Sequence, residues 1–260
     1  MPQSAAKIES MESTLSQAEK AAIAELAFPI QRILNQIEPE LKEGAYRVII
    51  GDDVSGRIPA IIMNEAVRKI YKMYGHPSPM LRFIAGGRRH RESGIDTKRR
   101  TDDMRDRTMQ LNGELQQKED TPRALLVTEA VASGWGMQMI LSALKNERIK
   151  TDVAALGFAG GVVDYGTKDI EVVRKRLRGA RLIIGTENLP SLYEDRDLRI
   201  LQGVAKEHGS STSTRLTDHQ IHREEVPGIQ AKINAARVLA IKVGGEVADI
   251  HLIGKEKQAA

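Results

Sequence analysis

Two short stretches carry residue types whose spacing suits phosphate and sugar chemistry. The first is Gly51-Asp52-Asp53-Val54-Ser55-Gly56-Arg57, a carboxylate pair followed by a hydroxyl, a glycine and a cation. The second is Thr128-Glu129-Ala130-Val131-Ala132-Ser133-Gly134-Trp135-Gly136, a hydroxyl and an acid followed by a run of small residues. Small residues let backbone N–H groups approach an anion, and a helix that opens directly afterwards adds its positive N-terminal end. Each feature also has a plainer reading. Asp52-Asp53 would serve as a helix cap, which needs only one of them. Arg57 would snorkel from a first helical turn. Trp135 either stacks on a base or closes the pocket, or it is a hydrophobic plug anchoring a loop that binds no phosphate.

Both stretches follow apolar runs that read as buried strands, Tyr46 to Ile50 and Ala124 to Val127. After the first, Pro59 suits an opening helical turn, and Ile62, Ala66, Ile70 and Met73 carry the helical period to Gly75. After the second, a helix is expected from Met137 to about Glu147. Leu81 to Ala85, Asp152 to Phe158 and Ala180 to Gly185 supply three more strands, with a helix over Asp169 to Arg178. Alternating strands and helices predict an α/β fold with a doubly wound, mostly parallel sheet and with N- and C-terminal helices. Ligands of such sheets bind outside the carboxyl ends of the strands, where these two loops fall.

Upstream, Ile23, Leu26, Ile30, Ile33, Leu34 and Ile37 lie on one face of a helix over Glu12 to Ile37, which Pro29 should kink or divide. Downstream, His208 to Arg223 is polar and reads as a loop or partly ordered excursion. From Pro227, Ile229, Ile233, Ala236, Ala240 and Val243 mark an amphipathic helix, and Ala248 to Ile253 reads as a final edge strand. The organisation expected is one α/β domain over 1–260, a flexible basic loop at 86–122 holding a polar helix from Thr101 to Lys118, and a hood or irregular excursion at 186–225. The histidines His208, His219 and His222 with Asp218 are too weak a pattern for a metal site. Gly160-Gly161 reads as a plain turn or a second phosphate turn.

Nearly all of the net charge of +4 is concentrated in one place. Between residues 88 and 107 stand Arg88, Arg89, Arg91, Lys98, Arg99, Arg100, Arg105 and Arg107 against Glu92, Asp96, Asp102, Asp103 and Asp106. A nucleic-acid surface would interleave aromatics for base stacking, and none occurs between Phe83 and Trp135. Nucleic acid is therefore not the expected partner. The segment reads either as a basic loop for a small anionic ligand or as a solvated connection.

The run Ala124 to Gly136 resembles the ribose-phosphate-binding signature of the type I phosphoribosyltransferases, and Val48 to Ala60 is similar to that family's first strand and pyrophosphate loop. The resemblance covers roughly residues 46 to 160. It implies a phosphoribosyltransferase-like fold that binds phosphoribosyl pyrophosphate, with Mg²⁺ held mainly through that substrate. The implied reaction transfers ribose 5-phosphate to a nucleobase or related acceptor with release of pyrophosphate. Glu129 would meet a ribose hydroxyl, directly or through the metal's water shell, with Thr128 beside it. Ala132, Ser133, Gly134, Trp135 and Gly136 would hold the 5-phosphate. Asp52, Asp53, Ser55 and Gly56 would meet the pyrophosphate, with Arg57 as its first cation. Arg88, Arg89, Lys98, Arg99 or Arg100 would close over the leaving group. A homodimer is common in the family. Thr128 replaces the family's first acid, Trp135 a small or polar residue and Gly136 a hydroxyl residue. These departures support an alternative: a non-catalytic sensing module that binds a phosphorylated ligand.

Composition narrows the field further. The 260 residues are 41% hydrophobic and 28% charged, ordinary for a globular chain and unlike a disordered one. No cysteine occurs, so disulfides, thiolate metal sites and cysteine nucleophiles are excluded. The N-terminal stretch has no apolar core, and no run reaches about 18 apolar residues. A cytoplasmic protein with neither signal peptide nor membrane span is expected.

Overall fold

The computed structural model describes residues 12–52, 56–86, 94–116, 122–132, 134–159, 170–195, 198–202, 204–206, 213–215 and 226–259. In chain order the elements are α1 (Gln17–Glu25), α2 (Ala27–Gln36), α3 (Glu38–Lys42), β1 (Tyr46–Asp52), α4 (Arg57–Tyr74), β2 (Met80–Ile84), α5 (Gly94–Gln116), β3 (Arg123–Val131) and α6 (Trp135–Asn146). They continue with β4 (Lys150–Phe158), α7 (Ile170–Arg176), β5 (Leu182–Ile184), α8 (Ser191–Glu194), a 3₁₀ turn (Leu198–Gln202), β6 (Val204–Lys206), β7 (Ser213–Arg215) and α9 (Val226–Ala259).

Five strands form an all-parallel sheet in the order β2-β1-β3-β4-β5. Their apolar runs are explained by burial on both faces. Ile49, Leu125, Val127, Ala154 and Leu156 pack against α1, α2, α4 and α9, whereas Val48, Ile50, Leu126, Val153 and Ala155 pack against α5, α6 and α7. No helix among the described residues is long and apolar enough to cross a membrane.

The N-terminal helix is divided, with a break at Leu26. Pro29 has no N–H to donate to the carbonyl of Glu25, the last residue of α1, and that missing bond sets the division. In α4, Ile62, Ala66 and Ile70 are buried as the period requires, but Met73 is exposed, in the last turn before Gly75.

The basic segment contains a longer helix than the sequence suggests. α5 buries Arg100, Met104, Thr108, Leu111 and Leu115, a stripe stepping by four, four, three and four. Burial of each apolar member contributes about 2 kcal/mol, more than the few tenths expected of a surface pair such as Arg107–Asp103. Residues 94–116 are therefore a packed helix and not a flexible loop. Its last turns reach the amino end of the sheet, where Asn112 bonds Glu147 and Glu114 pairs with Arg82. Its first turn accordingly lies toward the carboxyl end.

The edge strand expected over Ala248 to Ile253 is absent, because those residues continue α9. The helical stripe runs on through Val247, Ala248 and His251, all buried. Gly244-Gly245, which resembles a stop signal, serves packing: a Cβ on Gly244 would come 2.5 Å from the Ile62 carbonyl and 2.9 Å from Glu65 Cβ of α4. In the polar stretch read as a loop, Ser213–Arg215 forms a strand, paired antiparallel with Val204–Lys206.

At the amino end of the sheet a buried polar cluster joins β1, β3 and β4. Tyr46 Oη donates to Asp152 Oδ2 at 2.7 Å, and Arg123 Nη2 donates to the same oxygen at 2.6 Å. Tyr46 N–H donates to Tyr71 Oη at 2.8 Å. Burial pushes the Tyr71 hydroxyl up to about 12 and holds Tyr46 far above the ordinary tyrosine range, the Asp152 carboxylate adding to the effect on Tyr46.

Candidate functional site

β1 and β3 are neighbours although β2 lies between them in sequence, so the order of connection reverses at this pair. Such a reversal opens a crevice beyond the carboxyl ends of the two strands. Ile50 stands beside Leu126 and Gly51 beside Val127, which brings the two sequence loops to the same crevice.

The first loop is closed tightly. Gly56 N–H donates to the Asp52 carbonyl at 2.5 Å, and the Gly56 carbonyl accepts from Ala60 N–H at 2.8 Å as α4 begins. A Cβ on Gly56 would overlap the Val127 carbonyl oxygen and lie 2.7 Å from Asp52 N, so only glycine fits there. Asp52 is half-buried at the end of β1. Arg57 lays its guanidinium over the Phe83 ring, 4.3 Å from its centroid, which is a cation–π contact and more than a snorkelling side chain. Asp53 and Ser55 lie outside the described residues.

Glu129, on β3, is only 1% exposed. Its Oε1 accepts from Gln202 Nε2 at 2.9 Å, and Gln202 Oε1 accepts from Ile58 N–H at 3.0 Å. Gln202, at the end of the 3₁₀ turn and itself 1% exposed, thus links β3 to the first turn of α4. An N–H of a helix's first turn has no partner within the helix, and here a distant amide supplies one. Thr128 is also buried, with Oγ1 3.4 Å from the Ala130 carbonyl. Sequence reasoning missed Gln202, since a glutamine 73 residues from Glu129 leaves no local mark.

The second loop ends on Gly134, which caps α6 with a left-handed φ of 75°. A Cβ there would point at Val173 Cγ1, 3.3 Å away on α7, so this glycine is needed for its backbone conformation. Trp135 follows, 60% exposed, with the Arg176 guanidinium 5.1 Å from its ring centroid. The indole is therefore not a buried plug. Gly136 turns its carbonyl oxygen onto Gly86, where a Cβ would overlap it, so the chain leaving β2 lies directly against the first turn of α6. Ala132 is half-buried, and Ser133 lies outside the described residues.

Arg88 and Arg89 fall outside the described residues, as do His208, Asp218, His219, His222 and Gly160-Gly161. Lys98 and Arg99 are exposed, whereas Arg100 is fully buried in the inner face of α5. Arg100 thus cannot close over a leaving group without withdrawing from the core. Among the described residues no group of three or more His, Asp or Glu is placed to hold a metal ion. Among the described residues, Asp52 offers a half-buried carboxylate at the end of β1. That donor set fits a Mg²⁺ that arrives on phosphate oxygens and takes one or two protein oxygens, not one caged by protein alone.

No protein-family model matches the chain, and no curated protein matches it.

Proposed function

We propose that the chain is a phosphoribosyltransferase-like protein that binds phosphoribosyl pyrophosphate in the crevice between the β1 and β3 loops. The reaction would transfer ribose 5-phosphate to a nucleobase or related acceptor. The observation that carries this reading is the meeting of the two loops on adjacent parallel strands where the order of connection reverses. The loop closed by Gly56, with Arg57 held over Phe83, would take the pyrophosphate. The turn from Ala132 to Gly136 and the opening of α6 would take the 5-phosphate. Glu129 would address the ribose, and Gln202 would hold its carboxylate in place.

The C1–O bond to pyrophosphate would break as the acceptor's bond to C1 forms, through an oxocarbenium-like transition state. The protein's part is positioning and stabilisation of charge on the leaving group. Mg²⁺, when bound, would supply charge neutralisation on the pyrophosphate. Exposed Lys98 and Arg99 at the start of α5, with Arg88 and Arg89, are the cations available to a lid.

A second reading is favoured by a specific observation. Glu129 is buried and already bonded to Gln202, and Trp135 faces outward under Arg176. This arrangement suits a sensing module that binds a phosphorylated ligand without turnover. Calorimetric titration with phosphoribosyl pyrophosphate, with and without Mg²⁺ and beside ribose 5-phosphate and ATP, tests the shared premise. Selective, metal-dependent binding is expected, and its absence in folded protein would defeat the enzyme reading. Pyrophosphate release across a panel of bases then separates them: base-dependent release above the uncatalysed rate identifies the enzyme, and binding without release the sensor.

A further inference from the structure

The opposite end of the sheet holds a second concavity, unrelated to the crevice. It has a volume of about 370 Å³ and lies among the starts of β3 and β4, the end of α6 and the turn between α7 and β5. Arg123, Lys145, Lys150, Arg178 and Arg181 line it, with Asp152 as the one acid. Asp152 is already neutralised, since Arg123 and Tyr46 share its Oδ2. Arg181 is held by Glu40 at 2.8 Å and by the Gln36 carbonyl at 2.6 Å. Lys145, Lys150 and Arg178 make no ion pair with any described residue, and they converge on the pocket from three different elements. Leu141 and Leu177 supply apolar wall beneath them.

Charge at helix C-termini is ordinary, because cations there complement the helix dipole. The backbone at this end is not ordinary. Among the described residues only two non-glycines have a left-handed φ, Arg148 at 59° and Arg178 at 54°, and both are arginines in the turns that feed β4 and β5. Glycine takes that conformation without strain and is the usual residue after a helix end. A dipole effect is satisfied from any position in the last turn, so it gives no reason to place arginine in the strained one. A strained residue at a concave site points to function.

We propose that this amino-end pocket binds a small phosphorylated ligand of nucleotide size, its phosphate held by Lys145, Lys150 and Arg178 and its less polar body set against Leu141 and Leu177. The volume is within the range of small-molecule sites, and three cations with no ion-pair partner among the described residues would answer the charge of one phosphate group. The proposal is independent of the function assigned to the crevice.

The test is titration of the full chain with AMP, with adenosine as the uncharged control, followed by hydrogen–deuterium exchange with AMP present. The same titration is run on the triple variant Lys145→Gln/Lys150→Gln/Arg178→Gln. All three side chains are exposed, so the variant should fold, which circular dichroism verifies. AMP is expected to bind at least tenfold more tightly than adenosine and to protect peptides spanning 141–152 and 177–181. Affinity should fall at least tenfold in the triple variant. The proposal is overturned by no AMP binding at millimolar concentration, by unchanged affinity in the variant, or by protection confined to residues 51–60 and 128–140.

Discussion

Gln202 Nε2 donates to Glu129 Oε1 at 2.9 Å while its Oε1 accepts from Ile58 N–H at 3.0 Å, so one amide ties β3 to the first turn of α4. Both side chains are almost wholly buried. Depriving a buried polar group of its partner costs about 1–3 kcal/mol. Gln202→Leu should therefore lower stability by roughly 2–4 kcal/mol and weaken ligand binding at the crevice. Urea denaturation of parent and variant checks the first effect, and a difference below about 0.5 kcal/mol would show that the bridge does not hold the loops.

Gly56→Ala should damage the first loop specifically. The added methyl overlaps the Val127 carbonyl and crowds Asp52 N, both backbone atoms that cannot step aside as a side chain can. Overpacking of this kind costs about 1–3 kcal/mol, and the loop must open to relieve it. Loss of phosphoribosyl pyrophosphate binding in a variant that retains its circular dichroism spectrum is the expected result. Gly134→Val differs in kind: left-handed backbone costs an L-residue about 1–2 kcal/mol, and the side chain meets Val173. That variant should melt earlier than Gly134→Ala.

Alkaline pH should reach the amino-end tyrosines late. Burial raises the folded-state value of Tyr71 to about 12, with Tyr46 higher still, against an ordinary 10.0. A group with a raised folded-state value contributes stability that is complete below its unfolded value and is lost as pH rises through the folded one. Stability should thus decline from about pH 10 toward pH 12. Ultraviolet titration should show two of the five tyrosines ionising only in that range or with unfolding. Five tyrosines titrating together near pH 10 in folded protein would contradict the buried cluster.

Acid should act on Glu19. Burial works to raise its carboxyl, but the hydrogen bonds from Lys232 and from Ser16 outweigh it, so its value falls below the ordinary 4.5. A depressed carboxylate contributes stability present above its unfolded value and lost as pH falls through the folded one. The loss should begin near pH 4.5. Glu19→Gln should lower stability at pH 7 and flatten its acid dependence, because Lys232 loses its charged partner at 2.9 Å while the capping box, which accepts Gln as well as Glu at this position, is kept. Equal acid slopes in parent and variant would assign the dependence to other carboxylates.

The sheet was legible because buried parallel strands read as short apolar runs, and Tyr46 to Ile50, largely β-branched, and Ala124 to Val127 are such runs ended by small or polar residues. The two loops were legible for the same reason: each follows its strand directly. What escaped notice has physical causes. The buried face of α5 includes Arg100 and Thr108, so its stripe looks polar. Gly244 imitates a helix stop while permitting two helices to touch. Gln202 acts across 73 residues of sequence, where only tertiary structure reveals a partner.

The packing of α9 has a consequence for how the molecule is made. Lys232 reaches Glu19 across 213 positions, and Lys69 reaches Asp249 across 180. While a ribosome is still threading out residues 75 to 225, the face of α4 that α9 will cover, with Ile62 and Glu65 where Gly244 will pack and Lys69 where Asp249 will pair, stays open to the solvent. That half of the core stays open until the chain has emerged through Val247, so contacts of this span set a slow last step and a window for misassociation. Nascent chains halted before residue 226 should therefore be the forms that chaperones retain.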